Sequence, residues 1–115
     1  MVHGTHNAKV DKRNDDIFIH VNGELLKRKD AKISVFDSGY LVGDGVWEGM
    51  RLKEGVLISQ SLHFDRLWQA AYTIGIKLNF NRKELEEKIW STINANDMHD
   101  NVHIRIMVTR GIKKT

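Results

Sequence analysis

The stretch from Asp37 to Arg51, D-S-G-Y-L-V-G-D-G-V-W-E-G-M-R, limits what this chain can become more than any other part of it. Ser38-Gly39 and Gly43-Asp44-Gly45 bracket Tyr40, and a strand-like run from Val46 to Lys53 follows, carrying Trp47, Glu48 and Arg51. Glycines on both sides of a tyrosine let the backbone turn with positive φ and let a ligand come close. A dinucleotide fingerprint would need a third glycine and a helix directly after it. Here a strand comes next, which rejects a Rossmann reading.

The chain has 115 residues, enough for one domain with a real core, and the 18 basic and 15 acidic side chains leave a net charge of only +3. These charges are interspersed, so the basic balance does not point to nucleic acid or an anionic membrane. Without cysteine, disulfides and thiol catalysis are excluded. The segment Met1 to Asp16 is polar with no apolar core of a signal peptide, and no apolar run approaches the ~20 residues that span a bilayer, so a cytoplasmic location is expected. His3 and His6 lack a supporting carboxylate or cysteine cluster and read as surface residues, with no metal site expected.

Residues 1–14 show no period and are expected to form a flexible arm, leaving 15–115 as the folded domain. From Ile17 the pattern alternates, and Asn22-Gly23 predicts a type I′ hairpin whose returning strand is Glu24 to Lys27. Ala31 to Asp37 reads as a short apolar strand leading into the glycine loop. A second hairpin, Val46 to Lys53 and Val56 to Ser59, turns at Glu54-Gly55. Period two puts Val46, Glu48, Met50 and Leu52 on a core face, and Trp47, Gly49, Arg51 and Lys53 on a face suited to a pocket floor.

A helix with Ser61 as N-cap then buries Phe64, Leu67, Trp68, Ala71 and Ile74 before Gly75 closes it, leaving Arg66 off the stripe as a solvated helix arginine. A second helix opens on a capping box at Asn81 and Glu84 and buries Leu85, Ile89, Trp90 and Ile93. The last strand sets Val102, Ile104, Ile106 and Val108 against a face with His103 and Arg105, either a solvated rim or a binding surface. The fold class that follows is α+β, an antiparallel sheet covered by two helices.

Four segments of this sequence, V-N-G-E-L-L at 21–26, the stretch from Asp37 to Arg51, L-H-F-D-R-L at 62–67 and H-I-R-I-M-V-T-R-G at 103–111, together resemble one family. In order and spacing the chain is similar to the N-terminal domain of the class IV aminotransferases, pyridoxal 5'-phosphate enzymes of fold type IV. That family includes branched-chain aminotransferases, D-amino acid transaminases and aminodeoxychorismate lyases.

The resemblance implies that Arg66 binds the cofactor phosphate, a role suited to a planar guanidinium. It implies that Tyr40 faces the substrate near its carboxylate, that Trp47 stands where Phe or Tyr is usual, and that Arg105 meets the distal carboxylate of a dicarboxylic substrate. The loop wording resembles the D-amino acid and lyase branch, whereas Arg105 resembles the branched-chain branch.

Transamination also needs a lysine bonded to the cofactor and an acid at its ring nitrogen. The resemblance places both in a C-terminal domain, so no catalytic residue is expected here and this chain alone is expected to be inactive. It further implies amino acid and 2-oxo acid substrates and a homodimer. The alternatives of a different kind are a lyase using the same cofactor and a non-catalytic domain that keeps the fold; a nucleic-acid binder is disfavoured because acidic residues interrupt the basic face.

Overall fold

The computed structural model describes residues 9–114, so His3 and His6 lie outside the described residues. Only the end of the arm expected over 1–14 falls within them. There Lys12–Asn14 forms a single 3-10 turn, and Arg13 donates to the carbonyls of Asp100 and Asn101 at 3.0 and 2.9 Å.

Strand β1 (Phe18–Val21) pairs antiparallel with β2 (Glu24–Lys27), and Asn22 and Gly23 take φ of 49° and 94°, as a type I′ turn requires. A second sheet has the order β4-β3-β5, built from β3 (Gly45–Lys53), β4 (Val56–Leu57) and β5 (Val102–Thr109). Two sheets thus replace the single one expected, within the α+β class that the sequence predicts.

The strand expected over Ala31 to Asp37 does not form. That segment holds one isolated bridge, between Asp37 and Ile112, and leaves Ile33, Val35 and Phe36 exposed. Consecutive apolar residues there have no neighbouring strand to bond with, and apolar composition alone does not supply one.

The glycine stretch also differs from the loop expected. Ser38–Val42 is a short helix, α1, whose N-cap Asp37 accepts from Gly39 N at 2.8 Å and whose end is the left-handed Gly43. Gly39 is therefore helical, and its lack of a side chain serves packing instead: a Cβ there would overlap Thr109 Cγ2.

Helix α2 (Gln60–Thr73) starts earlier than a cap at Ser61 would place it, with Ser59 in the cap position. Its C-terminus closes as expected at Gly75, where Ile76 N donates to Ala71 O and Gly75 N to Tyr72 O, a Schellman pair. Helix α3 (Arg82–Asn96) opens on the Asn81–Glu84 capping box with both reciprocal bonds present.

The core lies between these helices and the second sheet. Met50 and Leu52 of β3 and Leu67 of α2 are fully enclosed, with Phe64, Leu85, Ile89, Ile93 and Ile106 around them. Each such side chain contributes about 1.5–3 kcal/mol by leaving water. Among the described residues no helix is long and apolar enough to cross a membrane.

The contact under Gly39 yields a stability test. Gly39→Ala is expected to cost about 1–3 kcal/mol, read as a lower denaturant midpoint, because the new methyl overlaps Thr109. Adding Thr109→Ser removes Cγ2 but keeps the hydroxyl bond to Asp37, and should restore most of the loss. A Gly39→Ala chain as stable as the parent would contradict this packing.

Candidate functional site

Glu48 is an acid at a core position, 5% exposed, in the middle of strand β3. A carboxylate so enclosed is costly unless cations and donors surround it. Helix α2 supplies them from one face: His63 and Arg66 stand one helical turn apart and both reach the same carboxylate. His63 Nδ1 donates to Oε1 at 2.7 Å, Arg66 Nη2 to Oε1 at 2.8 Å, and Arg66 Nε to Oε2 at 3.0 Å. Burial pushes the Glu48 carboxyl up, but the hydrogen bonds from Arg66 and His63 outweigh it and hold the group below its ordinary value.

The same bonds aim Arg66. Its Nε and one Nη2 proton are committed to Glu48, while Nη1 and the other Nη2 proton make no bond among the described residues, and the side chain is 72% exposed. A guanidinium gripped on one edge and free on the other is set to take an anion on its outer edge.

Trp47 precedes Glu48 and therefore leaves the opposite face of β3. Across the ladder Trp47 pairs with Met107 and Gly49 with Arg105, so these side chains share one open surface. There the Arg105 guanidinium stacks 4.8 Å from the Trp47 ring. His103 lies over Gly49, where a Cβ would approach Cε1 to 2.8 Å, so the glycine leaves the imidazole its place. Arg51, His103 and Arg105 thus give this face a basic character beside an aromatic plate.

Tyr40 comes to the same side through α1. Thr109 shares the face of Arg105 by period two, and Gly39 packs on its side chain, so α1 covers that end of the sheet with Tyr40 outward and exposed. Arg110 fixes this corner, donating to Asp44 at 2.6 and 3.2 Å and to the carbonyls of Ile74 and Gly75 that end α2. Its hydrogen bond holds the Asp44 carboxyl below the usual carboxylate range.

Of the expected site residues, the structure brings Trp47 and Arg105 together and sets Tyr40 on their side. Arg66 stands across β3 from them, so these residues alone do not form one pocket: consecutive strand positions face opposite ways. Glu48 and His63 are the site residues that sequence reasoning missed. The signal was present, since an acid in a core-facing set demands a cation.

The sign of the Glu48 shift generates a prediction. Because its folded value is depressed, its bonds stabilise fully above the ordinary value of 4.5 and are lost as pH falls through the lower folded value. Glu48→Gln should therefore cost about 1–3 kcal/mol at neutral pH, and the gap to the parent should shrink in acid. Denaturant unfolding at a series of pH values measures it; a gap that does not change with pH would contradict the assignment.

Comparison with known proteins agrees with this architecture. Residues 45–115 match the family model described as amino-transferase class IV. The chain is 41% identical over 102 residues to the branched-chain-amino-acid aminotransferase-like protein 1 of Arabidopsis thaliana, covering 89% of this chain and 18% of that protein. It is 38% identical over 93 residues to a D-alanine aminotransferase of Staphylococcus epidermidis, covering 81% and 33%. In structure it resembles the branched-chain amino acid aminotransferase from Escherichia coli, with a TM-score of 0.77, 26% identity, and coverage of 84% of this chain and 34% of that one. The chain spans about a third or less of the length of these relatives. On the extent of the family match and the identity to these relatives, the chain belongs to the class IV aminotransferases.

Proposed function

We propose that this chain is the N-terminal α+β part of a pyridoxal-phosphate enzyme that moves an amino group between an amino acid and a 2-oxo acid. Arg66 holds the cofactor phosphate, and Tyr40, Trp47 and Arg105 form the substrate side. The observation that carries this reading is the guanidinium of Arg66, pinned by Glu48 with its outer donors free. Those donors fit two oxygens of a phosphate ester. Branched-chain amino acid aminotransferases similar in structure to this chain have been solved with pyridoxamine 5'-phosphate and with N-(5'-phosphopyridoxyl)-L-glutamate, which supports the same cofactor class here.

When bound, pyridoxal phosphate supplies the electron sink for transamination. The residues of this chain contribute binding and orientation. Arg66 retains the phosphate while Glu48 fixes the direction of its guanidinium. Arg105, stacked on Trp47, offers a positive charge to a substrate carboxylate on the open face. Trp47 sets the bulk of the wall, and with it the side chain accepted.

The reactive lysine in this reading comes from the C-terminal domain of the full-length protein, whose proposed working form is a homodimer. Every lysine among the described residues is exposed, and none is enclosed as a cofactor-bound amine must be. That this chain covers only 33% and 34% of two of its relatives supports a second domain.

The test uses the full-length protein with added pyridoxal phosphate, followed by its visible absorbance. Arg66→Ala is expected to weaken cofactor retention by about 2 kcal/mol, roughly thirtyfold, through loss of a charged hydrogen-bonding pair. Unchanged retention would remove Arg66 from the phosphate site.

A further inference from the structure

Helix α1 has five residues, too few to persist on its own hydrogen bonds. Three successive residues at the end of β5 hold it. Ser38 N donates to Gly111 O at 2.8 Å, Thr109 Oγ1 to Asp37 Oδ2 at 3.1 Å, and Arg110 N to Asp44 O at 3.1 Å. The first two bonds fix the N-terminal end of α1, where Ser38 is buried. The other end runs into Gly43 and Asp44, and there Tyr40, Leu41 and Val42 are exposed. With so little apolar contact, that end keeps its place through polar bonds.

The side chain of Arg110 supplies them. Nε donates to Asp44 Oδ2 at 2.6 Å and Nη2 to Asp44 Oδ1 at 3.2 Å, a bidentate pair. The same guanidinium donates through Nη2 to Ile74 O at 2.7 Å and through Nη1 to Gly75 O at 3.2 Å, the carbonyls that end α2. All three of its nitrogens are engaged, whereas Arg66 leaves Nη1 without a bond among the described residues. Arg110 is thus built as a bridge between segments and Arg66 as a cation open to a ligand. A lysine could not do the same, because a point ammonium presents no planar fork to Asp44 and the two carbonyls together.

We propose that Arg110 is a positioning residue: its bridge from Asp44 to the C-terminus of α2 holds the exposed end of α1 and so sets Tyr40 against the face formed by Trp47 and Arg105. This rests on the substrate side assigned to those three residues above. Arg66 does not depend on the bridge, since Glu48 fixes its direction. A contact made equally to bound substrate and to transition state affects saturation and leaves the limiting rate alone.

Two measurements test it. In this chain, 15N relaxation should find the amides of Leu41 and Gly43 as rigid as those of Met50 and Ile106. In Arg110→Ala the α1 amides should become mobile, with order parameters below about 0.6, while those of the sheet do not change. Asp44→Ala breaks the same bridge from its other end and should match, and it serves if Arg110→Ala does not fold. The double variant should be no more mobile than either single one.

The second measurement uses the full-length protein loaded with pyridoxamine phosphate and mixed with 2-oxoglutarate, followed by absorbance in a single turnover. Arg110→Ala should raise the half-saturating concentration about tenfold, with a limiting rate within about twofold of the parent and unchanged cofactor retention. Arg110→Lys, which keeps the charge without the fork, should behave like Arg110→Ala.

Rigid α1 amides in Arg110→Ala, or full recovery in Arg110→Lys, overturn the proposal. Tyr40→Ala separates its failure from failure of the reading beneath it. If Tyr40→Ala weakens saturation and Arg110→Ala does not, the positioning role is overturned and the substrate side stands. If Tyr40→Ala changes nothing, or the parent does not react with 2-oxoglutarate, the substrate side itself fails and the positioning role is overturned with it.

Discussion

The carboxylate of Glu48 is a charge that strand β3 carries into the interior, and it can remain there only because α2 brings two donors to it. An enclosed charge without partners costs far more than any single apolar contact returns. The rotation of α2 about its axis is thereby restricted: His63 and Arg66 must meet Glu48, and Phe64, Leu67 and Ala71 then fall on the core. One electrostatic requirement and one hydrophobic stripe agree on the same orientation. The direction of the Arg66 guanidinium is a consequence of that agreement.

Strand β3 divides the chemistry of the molecule. On the helix side it places an anion-ready guanidinium, and on the open side a tryptophan with an arginine stacked upon it. Period two makes this separation unavoidable for neighbours in sequence. Pairing with β5 from Gly45 to Leu52 keeps both faces in register, and Arg110 ties the far end of that pair to Asp44 and to the C-terminus of α2. A cation beside helix-terminal carbonyls is favourably placed. In the reading proposed, a C-terminal domain would bring the two sides into one pocket.

Much of the fold was legible where local chemistry and the final structure ask for the same residue. Asn22-Gly23, the Asn81–Glu84 box and the alternation of Val102 to Val108 each have one favourable local solution, and each forms. Legibility failed where the outcome depended on distant partners. Ala31 to Asp37 is apolar but has only the Ile112 bridge beside it, so no strand forms. Asp37 to Gly43 becomes a helix because Asp37 caps it and Thr109 leaves room for Gly39, a fit that no local pattern announces. Arg66 was identified by resemblance alone, since its position off the apolar stripe is equally that of a solvated arginine. Its partner Glu48 belongs to the core face by period two, and a buried acid there requires a cation beside it.

The central claim is that the Glu48 carboxylate holds the Arg66 guanidinium in one direction. The most direct measurement is the 1H–15N NMR signal of Arg66 Nε–H, with its exchange and relaxation. The account predicts a slowly exchanging, rigid signal that becomes fast and averaged in Glu48→Gln, while Arg51 is unaffected. An Arg66 signal as mobile as that of Arg51 in the parent chain, or one unchanged by the substitution, would contradict it.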